Sequence, residues 1–335
     1  MLKLRFLFNN ETLAAMILEN WKHDPDSGEM LKNFRISSNA VYPFKSDGRV
    51  CFLRFAPVSE KDPGQVAGEL EFIEYLKQSG YNAPAVIPST KGSLLEIVKT
   101  PWGEYEAAAF KGVPGRQLDG LEPDEAVICG YGRALGRLHR LSAGYSPKLH
   151  KRWSWQDALA WVLDVLSGFP NEEAAVREAG LLEEFFSKLP AEDKNYGLIH
   201  YDFETDNVFF EKEKLEYHII DFDDAMYHWY AMDIDQALDS LTEDMEPMAA
   251  EHFRNSFIEG YRSQYDITDD MLALLPVFRR FANLYGYARI LRSTCEAWEN
   301  EPEWMRDLRR HLDMLRVKRS AGFGKPIGES GQLGL

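Results

Sequence analysis

The sequence predicts an α+β protein: a small antiparallel sheet with a helix comes first, and a larger, mostly helical region follows. Three observations carry this. Short apolar runs separated by turn residues fill residues 34–110. From residue 123 onward the apolar positions recur at helical spacing. One pair of apolar runs, residues 208–210 and 217–220, interrupts that helical part and reads as a hairpin.

Taken in order, residues 12–21 carry Leu13, Met16, Ile17 and Trp21 at helical spacing, and Asp24, Pro25 and Gly28 then make a turn. Residues 41–44 and 50–55 flank Ser46, Asp47 and Gly48, a hairpin signal. Arg54 lies inside that second apolar strand, where a cation needs an anionic partner. Residues 62–79 predict a helix with Asp62 as cap, Pro63 at the first position and Gly80 as stop. Its Glu69 reaches Arg54 if the helix packs on the sheet. Residues 85–87, 94–98 and 104–110 complete a sheet of about five strands. Gly112, Pro114 and Gly115 then punctuate the chain. Helices are expected over 124–141, 155–166, 172–189, 248–265, 271–298 and 304–317. The resulting domains are an N-terminal lobe over 1–111, a helical lobe over 112–319 and a flexible tail over 320–335.

The 335 residues have room for two such lobes, and 45% hydrophobic content supports a sizeable core. A net charge of -16 argues against nucleic-acid binding and leaves room for a cationic substrate. Cys51, Cys129 and Cys295 are odd in number and far apart, which predicts free thiols in a reducing, cytoplasmic setting. Neither a signal peptide nor a membrane span is expected.

The chemistry concentrates in residues 198–224. His200, Asp202 and Asn207 form the pattern H-x-D-x4-N after one apolar run, and Asp221 closes another about 20 residues on. An aspartate and an asparagine on one loop, with a second aspartate on the next, suit phosphoryl transfer. Asp202 is then the candidate base for the attacking hydroxyl. Asn207 and Asp221 are candidate magnesium ligands, hard oxygen donors for the metal on a nucleotide triphosphate. Asp221 ends an apolar strand, where burial would require a cation beside it. His200 is read as holding the loop by hydrogen bonds, and Asp233 as capping backbone N–H groups.

These residues resemble the aminoglycoside phosphotransferase / choline kinase family, a branch of the protein-kinase-like fold. The matching pieces are LGRLHRL (135–141), HYDFETDN (200–207) and IIDFDDAMYHWYAMD (219–233). Weaker matches are CFLRF (51–55), Glu69 and FKGVPGRQL (110–118). The resemblance implies a bilobal fold, ATP and Mg2+ as cofactors, and Asp202 as the catalytic aspartate. It implies Asn207 and Asp221 as metal ligands, Arg54 on the phosphates with Glu69 as its partner, and Ser37, Ser38 and Asn39 as the phosphate-covering turn. It places Phe110 in the hinge segment that receives adenine. Tyr201 stands where the family usually has glycine, and Arg54 where many kinases have lysine. The function expected is an ATP-dependent kinase of a small, hydroxylated, amine-bearing acceptor: an amino alcohol, an amino sugar or a homoserine-like amino acid. A protein serine/threonine kinase, a non-catalytic binding protein and a metallohydrolase are the alternatives.

Overall fold

Asp47 and Gly48 both have positive φ, 51° and 74°, as a two-residue hairpin turn of right-handed strands requires. The hairpin follows from that turn. After β1 (Arg35–Ile36), strand β2 (Ala40–Ser46) folds back antiparallel on β3 (Arg49–Pro57), with Ser46 opposite Arg49. The computed structural model describes residues 1–122, 124–243 and 245–328. It divides into two units, the first made of Met1–Pro114, Pro147–Lys151 and Ser293–Glu301.

In the first unit β4 (Val86–Ile87), β5 (Glu96–Thr100) and β6 (Gly103–Lys111) complete a six-stranded sheet with β6 beside β3. One face takes helix α1 (Glu11–Leu18), which starts where the Asn10 side chain accepts the Leu13 N–H at 2.9 Å. Leu13, Ile17, Leu18 and Trp21 are buried there with Tyr42, Phe44, Leu53 and Phe55. Each such side chain contributes about 1.5–3 kcal/mol by leaving water. The expected turn after it contains one helical turn, α2 (Ser27–Met30). Helix α3 (Pro63–Gln78) is capped by Asp62, and Gly80 beyond it has a φ of 77°.

The second unit contains Gly115–Ser146, Arg152–Arg292 and Pro302–Leu335. Its strands are β7 (Arg116–Gln117), β8 (Tyr196–Ile199), β9 (Val208–Glu211), β10 (Glu216–Ile219) and β11 (Met226–Trp229). The hairpin of β9 and β10 pairs Ile219 with Val208; β7 joins its β9 edge, and β8 pairs with β11. Around them lie α4 (Glu125–Ser142), α5 (Trp155–Ser167), α6 (Glu173–Lys188), α7 (Ala231–Thr242), α8 (Pro247–Arg262), α9 (Asp269–Leu272), α10 (Leu275–Thr294) and α11 (Glu303–Ser320). Helices α4 and α8 cross at backbone contact. A Cβ at Gly132 would overlap the Phe257 carbonyl oxygen, and one at Gly260 would overlap that of Cys129.

Four differences from the sequence reading have local causes. Residues 231–242 form α7, a helix absent from the expected set, although Ile234, Ala237, Leu238 and Leu241 recur at helical spacing. The helix expected over 271–298 is two, because residues 273–274 break it between α9 and α10. The first unit also draws in residues 147–151 and 293–301, so no single cut in the chain separates the two. The start of the expected tail is tied down: the Gly324 N–H donates to Glu178 and the Lys325 carbonyl accepts from Arg280. Residues 329–335 lie outside the described residues. Among those described, no helix is long and apolar enough to cross a membrane.

Candidate active site

In the second unit, β8 delivers the loop that starts at His200. Asp233, at the start of α7, accepts the His200 N–H on Oδ2 at 2.8 Å and the Tyr201 N–H on Oδ1 at 2.6 Å. The same Oδ2 meets Nε2 of His139 at 3.0 Å, and His139 Nδ1 meets the Tyr261 hydroxyl at 2.8 Å. Burial lowers the pKa of His139 against the pull of Asp233. The ring is therefore neutral, with Nε2–H donating to Asp233 and Nδ1 accepting from Tyr261. One buried carboxylate thereby fixes two successive backbone amides. This is what lets Tyr201 hold a φ of 69°, a region that costs a side-chain-bearing residue about 1–2 kcal/mol.

His200 ties the two loops together. Its Nε2 donates to the Ile220 carbonyl at 2.9 Å, and its Nδ1 accepts the Asp202 N–H at 3.2 Å. The Ile220 N–H in turn donates to the Asn207 carbonyl at 3.0 Å, so Asp221 follows the residue bonded to both. Asn207 Nδ2 donates to the Asp202 carboxylate at 2.9 Å and to its carbonyl at 3.0 Å. These bonds account for the amide nitrogen and leave the amide oxygen as the donor that Asn207 has to offer a hard cation.

Burial, then the charges of Glu204, Asp224 and Asp221, push the Asp202 carboxyl well above the usual carboxylate range; Arg289 opposes them. Glu204 itself is pushed up to about 7 by burial and by Asp206. Five carboxylates, Asp202, Glu204, Asp206, Asp221 and Asp224, thus gather on two adjoining loops, which is the electrostatics of a site that receives cations. Asp221 departs from expectation in one respect. Its side chain is exposed rather than buried, and it adopts a left-handed φ of 62°. Solvent can solvate it, so burial gives no argument for a metal there. Its oxygen donors and its link to Asn207 through Ile220 are what favour a metal there.

The remaining candidates lie in the first unit. Arg54 donates from Nη1 and Nη2 to the two Glu69 oxygens at 2.7 and 2.6 Å, and both side chains are buried. The Arg54 guanidinium carbon sits 4.9 Å from the centre of the Phe110 ring. Asn39 and Arg54 line one small cavity of about 10 Å³, together with Glu106. Ser37 and Ser38 are in the bend between β1 and β2 that ends at Asn39; Ser37 is exposed and Ser38 half-buried. Arg54, Glu69, Phe110 and Asn39 are therefore brought together, and the two serines border them in sequence. The sequence reading did not pick out Glu106, Tyr201 as a packing residue, or Arg289. Glu106 was legible as an acid within an apolar strand; Arg289 carried no signal.

Residues 33–274 match the phosphotransferase enzyme family. The chain is 24% identical over 322 residues to an amicoumacin kinase of Bacillus subtilis (strain 168), covering 92% of this chain and 94% of that one. It is 26% identical over 273 residues to a homoserine kinase of Sinorhizobium medicae (strain WSM419), covering 79% and 78%. Its fold superposes on the solved structure of the amicoumacin kinase hAmiN in complex with AMP-PNP, Ca2+ and Ami. The TM-score is 0.77 at 20% identity, over 95% of each chain. The chain belongs to the phosphotransferase enzyme family. It has the kinase-like fold and is an enzyme that transfers a phosphoryl group to a hydroxyl of a small molecule.

Proposed function

We propose that the phosphoryl donor is ATP, that the metal is Mg2+, and that the acceptor is a small cytoplasmic alcohol bearing an amine. The observation that carries this is the Asp202 carboxylate, held by Asn207 and surrounded by Glu204, Asp221 and Asp224. Such a cluster favours a divalent cation and an ammonium group over neutral or anionic partners. The relatives' names agree: they are kinases of small molecules, which disfavours the protein-kinase alternative.

In this reading Arg54, kept in place by Glu69 and Phe110, binds the α- and β-phosphates. Ser37, Ser38 and Asn39 cover the phosphates, and the backbone at Phe110 receives the adenine. Asn207 and Asp221 hold the metal, which when bound offsets negative charge on the phosphates. Asp202 accepts the hydroxyl proton as the acceptor oxygen bonds to the γ-phosphorus. The bond from that phosphorus to the bridging oxygen breaks, and ADP leaves with the electron pair. His200 and Asp233 orient the loop and take no proton.

The test is Asp202→Ala against a panel of hydroxylated amines and sugars. Turnover of the accepted compound is expected to fall about 10²- to 10⁴-fold, with nucleotide binding retained. Unchanged turnover would remove Asp202 from the mechanism. Magnesium-dependent nucleotide binding, followed by calorimetry, is expected to weaken in Asp221→Ala and Asn207→Ala.

A further inference from the structure

Of the two proposed metal ligands, Asn207 is held by burial and Asp221 is not. Asp221 also sits at a left-handed φ of 62°, which costs a residue with a side chain about 1–2 kcal/mol. Such a backbone persists where the chain on either side fixes it. Upstream, the Ile220 carbonyl accepts from His200 and the Ile220 N–H donates to Asn207. Downstream, residues 222–224 make a tight turn, closed by the Ala225 N–H on the Phe222 carbonyl at 3.1 Å, and the chain then enters β11.

Arg152 grips that downstream turn. Its Nε donates to the Ala225 carbonyl at 2.7 Å and its Nη2 to the Asp223 carbonyl at 2.5 Å. One edge of the planar guanidinium thus spans two main-chain carbonyls, which the single ammonium of a lysine does not reproduce. Arg152 is buried, and the residues after it are fixed in turn. The Trp153 carbonyl accepts the Tyr227 N–H at 2.7 Å, and Ser154 bridges to Tyr227 and caps α5. The rings of Trp155 and Trp229 lie 5.8 Å apart. These contacts already dock α5 on β11. A buried cation is a costly addition to them, and what Arg152 adds is a hold on the turn after Asp221.

We propose that Arg152 is a positioning residue for Asp221. By binding the Asp223 and Ala225 carbonyls it fixes the downstream end of the loop, as His200 and Asn207 fix the upstream end. Without it the turn relaxes, the Asp221 carboxylate spends less time where a metal needs it, and apparent metal affinity falls by that fraction. This rests on the reading of Asp221 as a metal ligand and goes further, since it assigns a task to a segment that the kinase reading does not use.

The test is calorimetric binding of a non-hydrolysable ATP analogue to the full-length protein, across a range of Mg2+ concentrations and with no metal. In Arg152→Gln the Mg2+ concentration that half-saturates the tightening is expected to rise by about 10- to 100-fold, as for other residues that orient a metal ligand. Metal-free binding is expected to stay as in the parent. Arg152→Lys, which keeps the charge and loses the fork, is expected to fall between the two. In an Asp221→Ala background Arg152→Gln is expected to add no further loss, because its effect passes through Asp221. Parent-like metal dependence in Arg152→Gln, or losses that add in the double variant, overturns the inference and leaves the kinase reading standing. So does an equal loss of metal-free binding, which would make Arg152 a residue that merely holds the fold. If the Gln variant does not fold, Arg152→Lys decides by the same measures. If the parent binds the analogue no more tightly with Mg2+ than without, the metal assignment of Asp221 falls, and the role of Arg152 falls with it.

Discussion

Each unit buries a bidentate arginine–glutamate pair, and the two pairs are nearly identical as bonds. Arg54 and Glu69 meet at 2.7 and 2.6 Å in the first unit. Arg280 and Glu178 meet at 2.7 Å twice in the second. Their surroundings differ. Glu178 also accepts the Gly324 N–H at 2.9 Å, and Arg280 donates to the Lys325 carbonyl at 2.7 Å, so that pair pins the segment after α11. Arg54 faces the Phe110 ring and shares a cavity with Asn39. The geometry of a buried ion pair therefore does not reveal its task. What each pair touches next does: main chain in one case, the proposed nucleotide-binding residues in the other.

The largest effect should come from removing one partner. Arg54→Ala and Arg280→Ala each strand a glutamate that is fully buried. Each is expected to cost about 3–5 kcal/mol in denaturant unfolding. A loss below about 1 kcal/mol at either site would show that water reaches the orphaned carboxylate.

The next effect separates the pairs. At a temperature where both variants stay folded, Arg54→Ala is expected to raise the KM for ATP by about tenfold or more, the value of a charge-assisted hydrogen bond. Arg280→Ala is expected to leave it unchanged. Equal KM values in the two variants would erase the distinction drawn here.

Replacing both members with apolar residues sharpens the contrast. Arg280→Met with Glu178→Leu is expected to restore stability to within about 1–2 kcal/mol of the parent, with phosphoryl transfer intact. Arg54→Met with Glu69→Leu is expected to recover stability alike but not ATP affinity. Recovery of both would make Arg54 a packing residue.

A separate effect concerns pH. Burial lowers the pKa of His228 from 6.5 to about 3, among Phe186, Trp229, Phe278 and Phe281. Between those values the unfolded chain binds a proton that the folded ring refuses. The stabilisation is whole above about 6.5 and is lost as pH falls toward about 3. His228→Phe should flatten the melting temperature between pH 6.5 and 4. A slope equal to that of the parent would shift acid sensitivity to other groups.

Much of the fold was legible because its signals are local. The Asp47–Gly48 turn, the Asp62 cap and the hairpin after Asn207 each rest on a few neighbouring residues. Helix α7 was overlooked although Ile234, Ala237, Leu238 and Leu241 repeat at helical spacing, because Asp233 at its start reads as a residue that holds a loop. Strand β11 was missed because its partner β8 lies about thirty residues earlier, and four residues carry too little pattern to declare a strand. In the candidate site, Asp202, Asn207 and Asp221 stand out by spacing. Arg289 does not, for it sits on a long helix among other arginines, and its contacts with Asp224 and Tyr285 mark it out.

The order of the reactive groups is written along the chain. Asp202 and Asn207 are five residues apart on one loop, so their hydrogen bond needs only a short turn. Tertiary structure decided which charges face one another. Asp224 and Arg289 are 65 residues apart, Glu178 and Arg280 are 102, and His139 and Asp233 are 94. The reason is physical. Backbone preference acts over a few residues, whereas a buried charge takes as its partner whichever opposite group the packed helices bring within reach.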